Sequence, residues 1–307
     1  MTLQQLEYVV ALDEQRHFAK AAEVCNITQS TLSSMIHKLE EELDITIFDR
    51  ACHPVQPTLA GENLIKQARE VLFKANQLNE MSKNEKAKNT GNILIGITST
   101  VGPYIMPKLF KYMSQFQDIN LTAKEMYRDD IISKLKTAEI DMAIMSYPEN
   151  DNKLLEIPLY NEKLYAYVSP NDELSKYDKI NLNTMPCERL WVLKHEINFQ
   201  RQIPGLENYI TCRNQFYETG NIASLLRIVD ENLGFTVLPE LHIPILRESS
   251  KRNVKEFTEP IPTRTVSLFV RKDYVRESFV NIIIDGIKTI IPNKMIVERL
   301  KKYKVRL

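Results

Sequence analysis

The sequence predicts an α/β protein in three parts: a small helical N-terminal domain, one long helix, and a pair of α/β lobes. Three observations carry this reading. Residues 1–57 hold short helical patterns with no strand-rich run before "ITIFDR". From Thr58 to about Lys88 a single apolar seam continues at helical spacing. From Asn92 onward strand and helix patterns alternate, the signature of a parallel sheet with crossover helices. The boundaries expected are therefore 1–57, 58–90 and 91–307, the last divided into lobe I (about 91–162 and 266–307) and lobe II (about 163–265).

In the first part, Phe18, Ala21, Ala22 and Val24 belong to a short helix, Cys25–Asn26 make a turn, and Ile27 plugs the corner. Thr28 is placed to cap the next helix, whose Leu32, Ile36, Leu39 and Leu43 share one face, flanked by Met35. Two short helices with small residues at their crossing and a tight turn make a helix–turn–helix. Such a unit puts the N-terminal half of its second helix into the DNA major groove. The outward face here is Gln29, Ser30, Thr31, Ser33, Ser34, His37 and Lys38, with Arg50 and His53 following in "RACHPVQPT". Gln pairs bidentately with adenine, and Ser donates or accepts at base or phosphate. Charge opposes this reading. Residues 1–60 carry four cations (Arg16, Lys20, Lys38, Arg50) and nine acids, a net charge of −5. Phosphate neutralisation supplies much of the affinity of most DNA-binding modules, so one copy should bind weakly. A second copy on the same duplex doubles the contacts.

The long helix supplies the means of pairing. Leu64, Ala68, Val71, Ala75, Leu78 and Met81 step mostly by four and three, a coiled-coil seam rather than a broad core stripe.

In the third part "NILIGIT" (92–98), "INLTAKEM" (119–126) and "DMAIM" (141–145) read as strands, separated by helices from Pro103 to Phe116 and from Asp129 to Ala138. The pattern restarts with "KLYAYV" (163–168), "LWVL" (190–193), "NYITC" (208–212), a helix from Asn221 to Glu231, and "GFTVLP" (234–239). "TVSLFVR" (265–271) and a helix around Glu277 to Ile290 return to the first sheet, which leaves a cleft between two lobes. The basic amphipathic end, "KMIVERLKKYKVRL", reads as a solvated face.

Several classes are excluded. Lys+Arg and Asp+Glu number 40 each, so bulk charge favours neither nucleic acid nor membrane and only local patches count. No signal peptide and no membrane span are expected, and four scattered cysteines without CxxC suit a reducing cytoplasm. The dispersed histidines propose no metal site. With eight glycines there is no GxGxxG or P-loop, and no GxSxG or HExxH occurs, so no cofactor and no catalytic residue is expected.

"LQQLEYVVALDEQRHFAKAAEVCNITQSTLSSMIHKLEEELDITIFDR…TLAGENLIKQAREVL" resembles the DNA-binding domain of LysR-type transcriptional regulators, with Ala21-Ala22, Thr28-Gln29, Leu32-Ser33, "KLE" and "T-x-A-G" in family order. "ITSTVGPYIMP", "EIPLYNEKLYAYVSP" and "GFTVLPELHIP" resemble the OxyR branch, whose best-known members sense hydrogen peroxide. The resemblance implies a winged helix–turn–helix, a linker helix and a two-lobed effector domain of periplasmic-binding-protein type. It also implies a homodimer-based homotetramer on double-stranded promoter DNA, in contact with RNA polymerase. Two departures stand out. Family wings usually carry more Arg or Lys than Arg50 and His53 provide. The peroxide sensors also have a reactive Cys after the strand resembling "LWVLKHE", where this chain has Asn198 and its neighbours in "HEINFQ", none of them Cys. A thiolate performs that chemistry, so an OxyR-like redox sensor would need Cys187 with Cys212 instead.

The remaining expectation is a small-molecule effector in the cleft, anions among the candidates. Ser99 and Thr100 follow the first strand and precede a helix; Arg128 follows the second strand and Ser146 the third. His195, Asn198 and Asn221 face them from lobe II. The bland alternative for Arg128 is a pair with Asp129 or Asp130. A rival of another class is a solute-binding protein, opposed by the helix–turn–helix.

Overall fold

The computed structural model describes residues 1–82, 90–146, 151–192, 221–302 and 304–306. They fall into two units, Met1–Lys88 with Lys136–Glu139, and Asn89–Leu135 with Ile140–Leu307. In the first unit, helix α1 (Leu3–Gln15) starts at a capping box: Thr2 Oγ1 accepts from the Gln5 amide at 3.2 Å, and Gln5 Oε1 accepts from the Thr2 amide at 2.9 Å. Its Leu6, Val9 and Leu12 are buried. Helices α2 (Phe18–Val24) and α3 (Gln29–Leu43) cross where Ala21 and Ala22 are buried, small side chains that allow close approach. Asn26 turns the chain between them with φ 53°, a left-handed conformation that Asn tolerates. On α3, Leu32, Ile36 and Leu39 are fully buried, and Leu43 and Met35 pack half-buried against the same core. The face expected from spacing is the face that packs.

Strands β1 (Phe48–Asp49) and β2 (Gln56–Pro57) pair antiparallel as a short wing. Helix α4 (Leu59–Ser82) follows. Thr58 fixes its start: Oγ1 donates to Thr46 O at 2.6 Å and accepts from the Gly61 amide at 2.9 Å. Gly61 lies so close to the preceding loop that an added Cβ would sit 2.0 Å from Ile47 O. The "T-x-A-G" motif is thus a cap followed by a close approach of backbones. The expected helix ran to Lys88; residues 83–89 lie outside the described residues. Its seam divides: Ala68 is buried and Leu64 half-buried in its own unit, whereas Val71 and Leu78 are 44% and 70% exposed. The Met81 side chain is outside the described set.

In the second unit, β3 (Gly91–Ile97), α5 (Gly102–Met113), β4 (Ile119–Glu125), α6 (Arg128–Lys136) and β5 (Met142–Met145) alternate as the pattern predicts. Strand β3 pairs parallel with both β4 and β5, and β5 is buried on both faces. Beyond them come β6 (Leu154–Val168), β7 (Lys179–Ile180), α7 (Ile222–Glu231), β8 (Phe235–Pro239), β9 (Val254–Phe257), β10 (Thr263–Arg271) and α8 (Glu277–Ile290). The strand order is β4-β3-β5-β10-β6-β9-β7, with β8 also on β6.

Three departures from the pattern reading have physical causes. "KLYAYV" is only the end of the fifteen-residue strand β6, which pairs antiparallel with β10 up to Lys163 and with β8 from Leu164. Pro158 disguised its start. Proline cannot donate to a ladder, and the β6–β10 register shifts beside it, between Val266 and Ser267. The sheet is therefore mixed, with β10 antiparallel to both β5 and β6. "LWVL" forms one isolated bridge, Leu190 to Phe235, within the residues described as far as Val192. "NYITC" lies outside the described residues. Finally, the C-terminal segment is not merely solvated: Met295, Ile296 and Leu300 are buried, and the Val297 amide donates to Leu159 O at 3.0 Å.

Candidate nucleic-acid interface and regulatory site

The α3 N-terminus is stiffened by its own hydroxyls. Thr28 Oγ1 accepts from the Thr31 amide at 3.2 Å and lies 2.9 and 2.8 Å from the hydroxyls of Ser30 and Thr31. Gln29, Ser30, Thr31, Ser34, His37 and Lys38 are exposed and Ser33 half-buried, so one helix carries every expected residue but Arg50 and His53. His37 sits over two acids one turn on, 3.9 Å from Glu40 and 3.4 Å from Glu41. His53 is exposed in the wing.

Arg50, exposed at the wing, also has partners within the fold. Its Nη2 donates to Glu40 Oε2 at 2.9 Å and its guanidinium lies 5.6 Å from the Phe18 ring centroid. Glu40 is itself buried, its Oε1 accepting from the amides of Ile47 and Phe48 at 2.8 and 3.2 Å. Sequence reading counted Glu40 as one more repulsive acid; it is the anchor of the wing's first strand. Asp13 and Glu14 are likewise absorbed, accepting from the buried Arg69 on α4 at 2.9 and 2.8 Å. In the wing, Asp49 Oδ2 accepts from Cys52 Sγ at 3.3 Å, and that bond with the carboxylate charge pushes the thiol pKa up. Burial, then Glu7, does the same for Cys25. Neither is an activated thiolate.

In the second unit two expected residues, Thr100 and Ser146, converge on one that sequence reading missed. Arg264 is buried on β10 directly opposite Glu162 on β6, with Nε donating to Glu162 Oε1 at 2.8 Å. Its Nη1 donates to Thr100 Oγ1 at 3.0 Å and Ser146 Oγ at 3.4 Å. Its Nη2 donates to Thr100 O at 2.9 Å and Tyr104 Oη at 3.2 Å. Five N–H groups thus have five acceptors, the full capacity of a guanidinium. Tyr104 donates to Glu162 Oε1 at 2.9 Å and meets Tyr160 Oη at 2.8 Å; Glu162 Oε2 takes the Leu241 amide at 3.2 Å. Burial first, and the Glu162 charge second, raises the Tyr104 phenol, so it stays a donor. His242 stands edge-on to Tyr104 at 6.3 Å, and burial, then Arg264, pushes its pKa down to about 4.

Of the other expected effector residues, Ser99, Arg128 and Asn221 are described. Ser99 is half-buried beside Thr100. Arg128 opens α6 and pairs with Asp129 at 2.9 Å, the bland alternative. Asn221 caps α7 by accepting from the Ala223 amide at 2.8 Å. His195, Asn198 and Cys212 lie outside the described residues, as does the Cys187 side chain. A signal for the hub did exist. Glu162 shares strand parity with Tyr160, Leu164 and Ala166, and Arg264 with Val266 and Leu268, so two charges stand on inward-facing positions.

A winged helix–turn–helix followed on one chain by an α/β unit is the architecture of a DNA-binding transcriptional regulator with a substrate-binding domain. Residues 3–62 match the bacterial regulatory helix-turn-helix proteins of the lysR family, and residues 86–288 match the LysR substrate binding domain. The chain belongs to the LysR family. It is 32% identical to a hydrogen peroxide-inducible genes activator of Haemophilus influenzae, covering 88% of this chain and 91% of that one. It is 30% identical to the transcriptional regulator EstR of Acinetobacter baylyi, covering 94% and 97%. A full-length OxyR variant from Pseudomonas aeruginosa superposes with a TM-score of 0.81 at 26% identity, covering 97% of this chain and 98% of that one. No described helix is long and apolar enough to cross a membrane.

Proposed function

We propose that this regulator works in the cytoplasm as a homodimer-based homotetramer. In this reading a small molecule held by the second unit shifts the tetramer's contacts with promoter DNA and RNA polymerase. Such a shift requires an effector with different affinities for two arrangements of the tetramer. The observation that carries a ligand over a thiol switch is the segment "LKHEINFQ", which has no Cys at the position resembling the reactive one. The exposed Val71 and Leu78 on α4 support pairing with a second copy.

A second reading is OxyR-like thiol sensing of peroxide. It is favoured by the hydrogen peroxide-inducible genes activators among the relatives, and Cys187 and Cys212 are the thiols the sequence offers for it. Measuring DNA binding with and without hydrogen peroxide, in wild type and in a Cys187→Ser/Cys212→Ser variant, separates the two. The ligand reading expects the same affinity in all four conditions. A peroxide response lost in the double variant would sink it.

A further inference from the structure

We propose that an ion-pair relay, Glu139–Arg69–Asp13–Arg16, carries the state of the substrate-binding domain to the DNA-binding wing. The first unit is built from two stretches of chain. The second of them, Lys136–Glu139, is the turn after α6, inside the residues that match the substrate-binding domain. That turn is fastened to its own domain on both sides. Ile131, Ile132 and Leu135 of α6, and Ile140 beyond the turn, lie in a buried core cluster with β5 and β6. Asp141 Oδ2 accepts from the Leu94 amide on β3 at 2.8 Å, and the Asp141 amide donates to Leu94 O at 2.9 Å.

The buried Thr137 donates through Oγ1 to Glu139 Oε1 at 2.8 Å and so orients that oxygen, which lies 3.9 Å from Arg69 Nε on α4. Arg69 is itself buried, and its other two nitrogens donate to Glu14 and Asp13 on α1 at 2.8 and 2.9 Å. Asp13 is held from both sides, Oδ2 by Arg69 and Oδ1 by Arg16 Nη2 at 2.7 Å. Arg16 then holds the wing twice. Its Nη1 donates to Gln56 Oε1 on β2 at 2.9 Å, and its carbonyl accepts from the Val55 amide at 3.2 Å. A guanidinium is a planar fork, so turning Arg69 toward or away from Glu139 swings its other two donors together. In a site of low local dielectric each member of such a chain biases the next. Coupling travels through contiguous networks of this kind when a member has two arrangements. Arg69, shared among three carboxylates, has them: Glu139 engaged, or Glu139 withdrawn and the fork given wholly to α1. Arg16 is thereby a positioning residue for the wing. The relay serves a ligand-driven and a thiol-driven substrate-binding domain alike.

The test is hydrogen exchange in the full-length chain, free of DNA, read at the Val55 amide by fragmentation mass spectrometry with the Leu268 amide on β10 as reference. Glu139→Gln removes the charge of a half-buried side chain and keeps its shape. It is expected to change exchange at Val55 by about twofold or more and at Leu268 by less than about 1.3-fold. Arg16→Gln cuts the relay before the wing, so adding Glu139→Gln to it should move Val55 by less than about 1.3-fold. An unchanged Val55 rate in Glu139→Gln overturns the proposal, and so does an equal change at Val55 and Leu268, which would be general loosening. An undiminished effect in the Arg16→Gln background also overturns it, since Glu139 would then reach the wing by another route. If Arg16→Gln fails to fold, Asp13→Asn cuts the same relay one member earlier and decides by the same criteria.

Discussion

Glu40 and Arg50 form an ion pair at 2.9 Å, so the wing's one arginine is already neutralised within the fold. A cation that binds phosphate releases counterions and steepens the salt dependence of DNA binding; a cation held by a carboxylate does so less. Arg50→Gln is expected to change the slope of log affinity against log salt by less than about half a unit, whereas Lys38→Gln should reduce it by about 0.9. Equal losses in the two variants, read by fluorescence anisotropy over a salt series, would mean that Arg50 leaves Glu40 for DNA.

Gly61 offers a test of how the linker helix is seated. Any Cβ there would collide with the Ile47 carbonyl, 2.0 Å away, and backbone atoms move at a cost. Gly61→Ala should lose about 2 kcal/mol in urea denaturation of the full chain. Unchanged stability would show that α4 starts differently.

His242 gives a pH dependence with a definite sign. Its folded pKa of about 4 lies below the ordinary 6.5, so the unfolded chain binds the proton more readily. The stability this group contributes is complete above pH 6.5 and is lost as pH falls toward 4, on the order of 3 kcal/mol in all. His242→Gln should flatten the stability–pH curve in that window. Parallel curves for wild type and variant would refute the assignment.

The outer half of the α4 seam predicts assembly. Leu78, 70% exposed, is expected to be covered by a second copy. Leu78→Arg should lower the sedimenting mass of the full chain and weaken operator binding by about a hundredfold or more, the avidity of a lost second site. An unchanged mass would place the contact elsewhere.

Much of this was legible in the sequence because the signals were local. Thr28, the Leu32–Ile36–Leu39 spacing and the Ala21-Ala22 pair each report on neighbours within a few turns. The hub was not legible in that way. Arg264 meets Glu162 across 102 residues and Thr100 across 164, and no helical or strand period links them. Strand β6 was cut short because Pro158 and a bulge obscured its alternation. Three of the nine acids that argued against DNA binding were misjudged: Glu40, Asp13 and Glu14 look like repulsive surface in a string of letters, yet each is bonded within the fold.

The central claim is that α3, beginning at Gln29, reads a DNA groove. Footprinting on the DNA upstream of the protein's own gene, at moderate salt, tests it most directly. Wild type should protect a discrete segment, and Gln29→Ala should lose about 1–3 kcal/mol of preference for that segment over competitor DNA. No discrete protection by wild type, or the same preference in Gln29→Ala, would contradict the account.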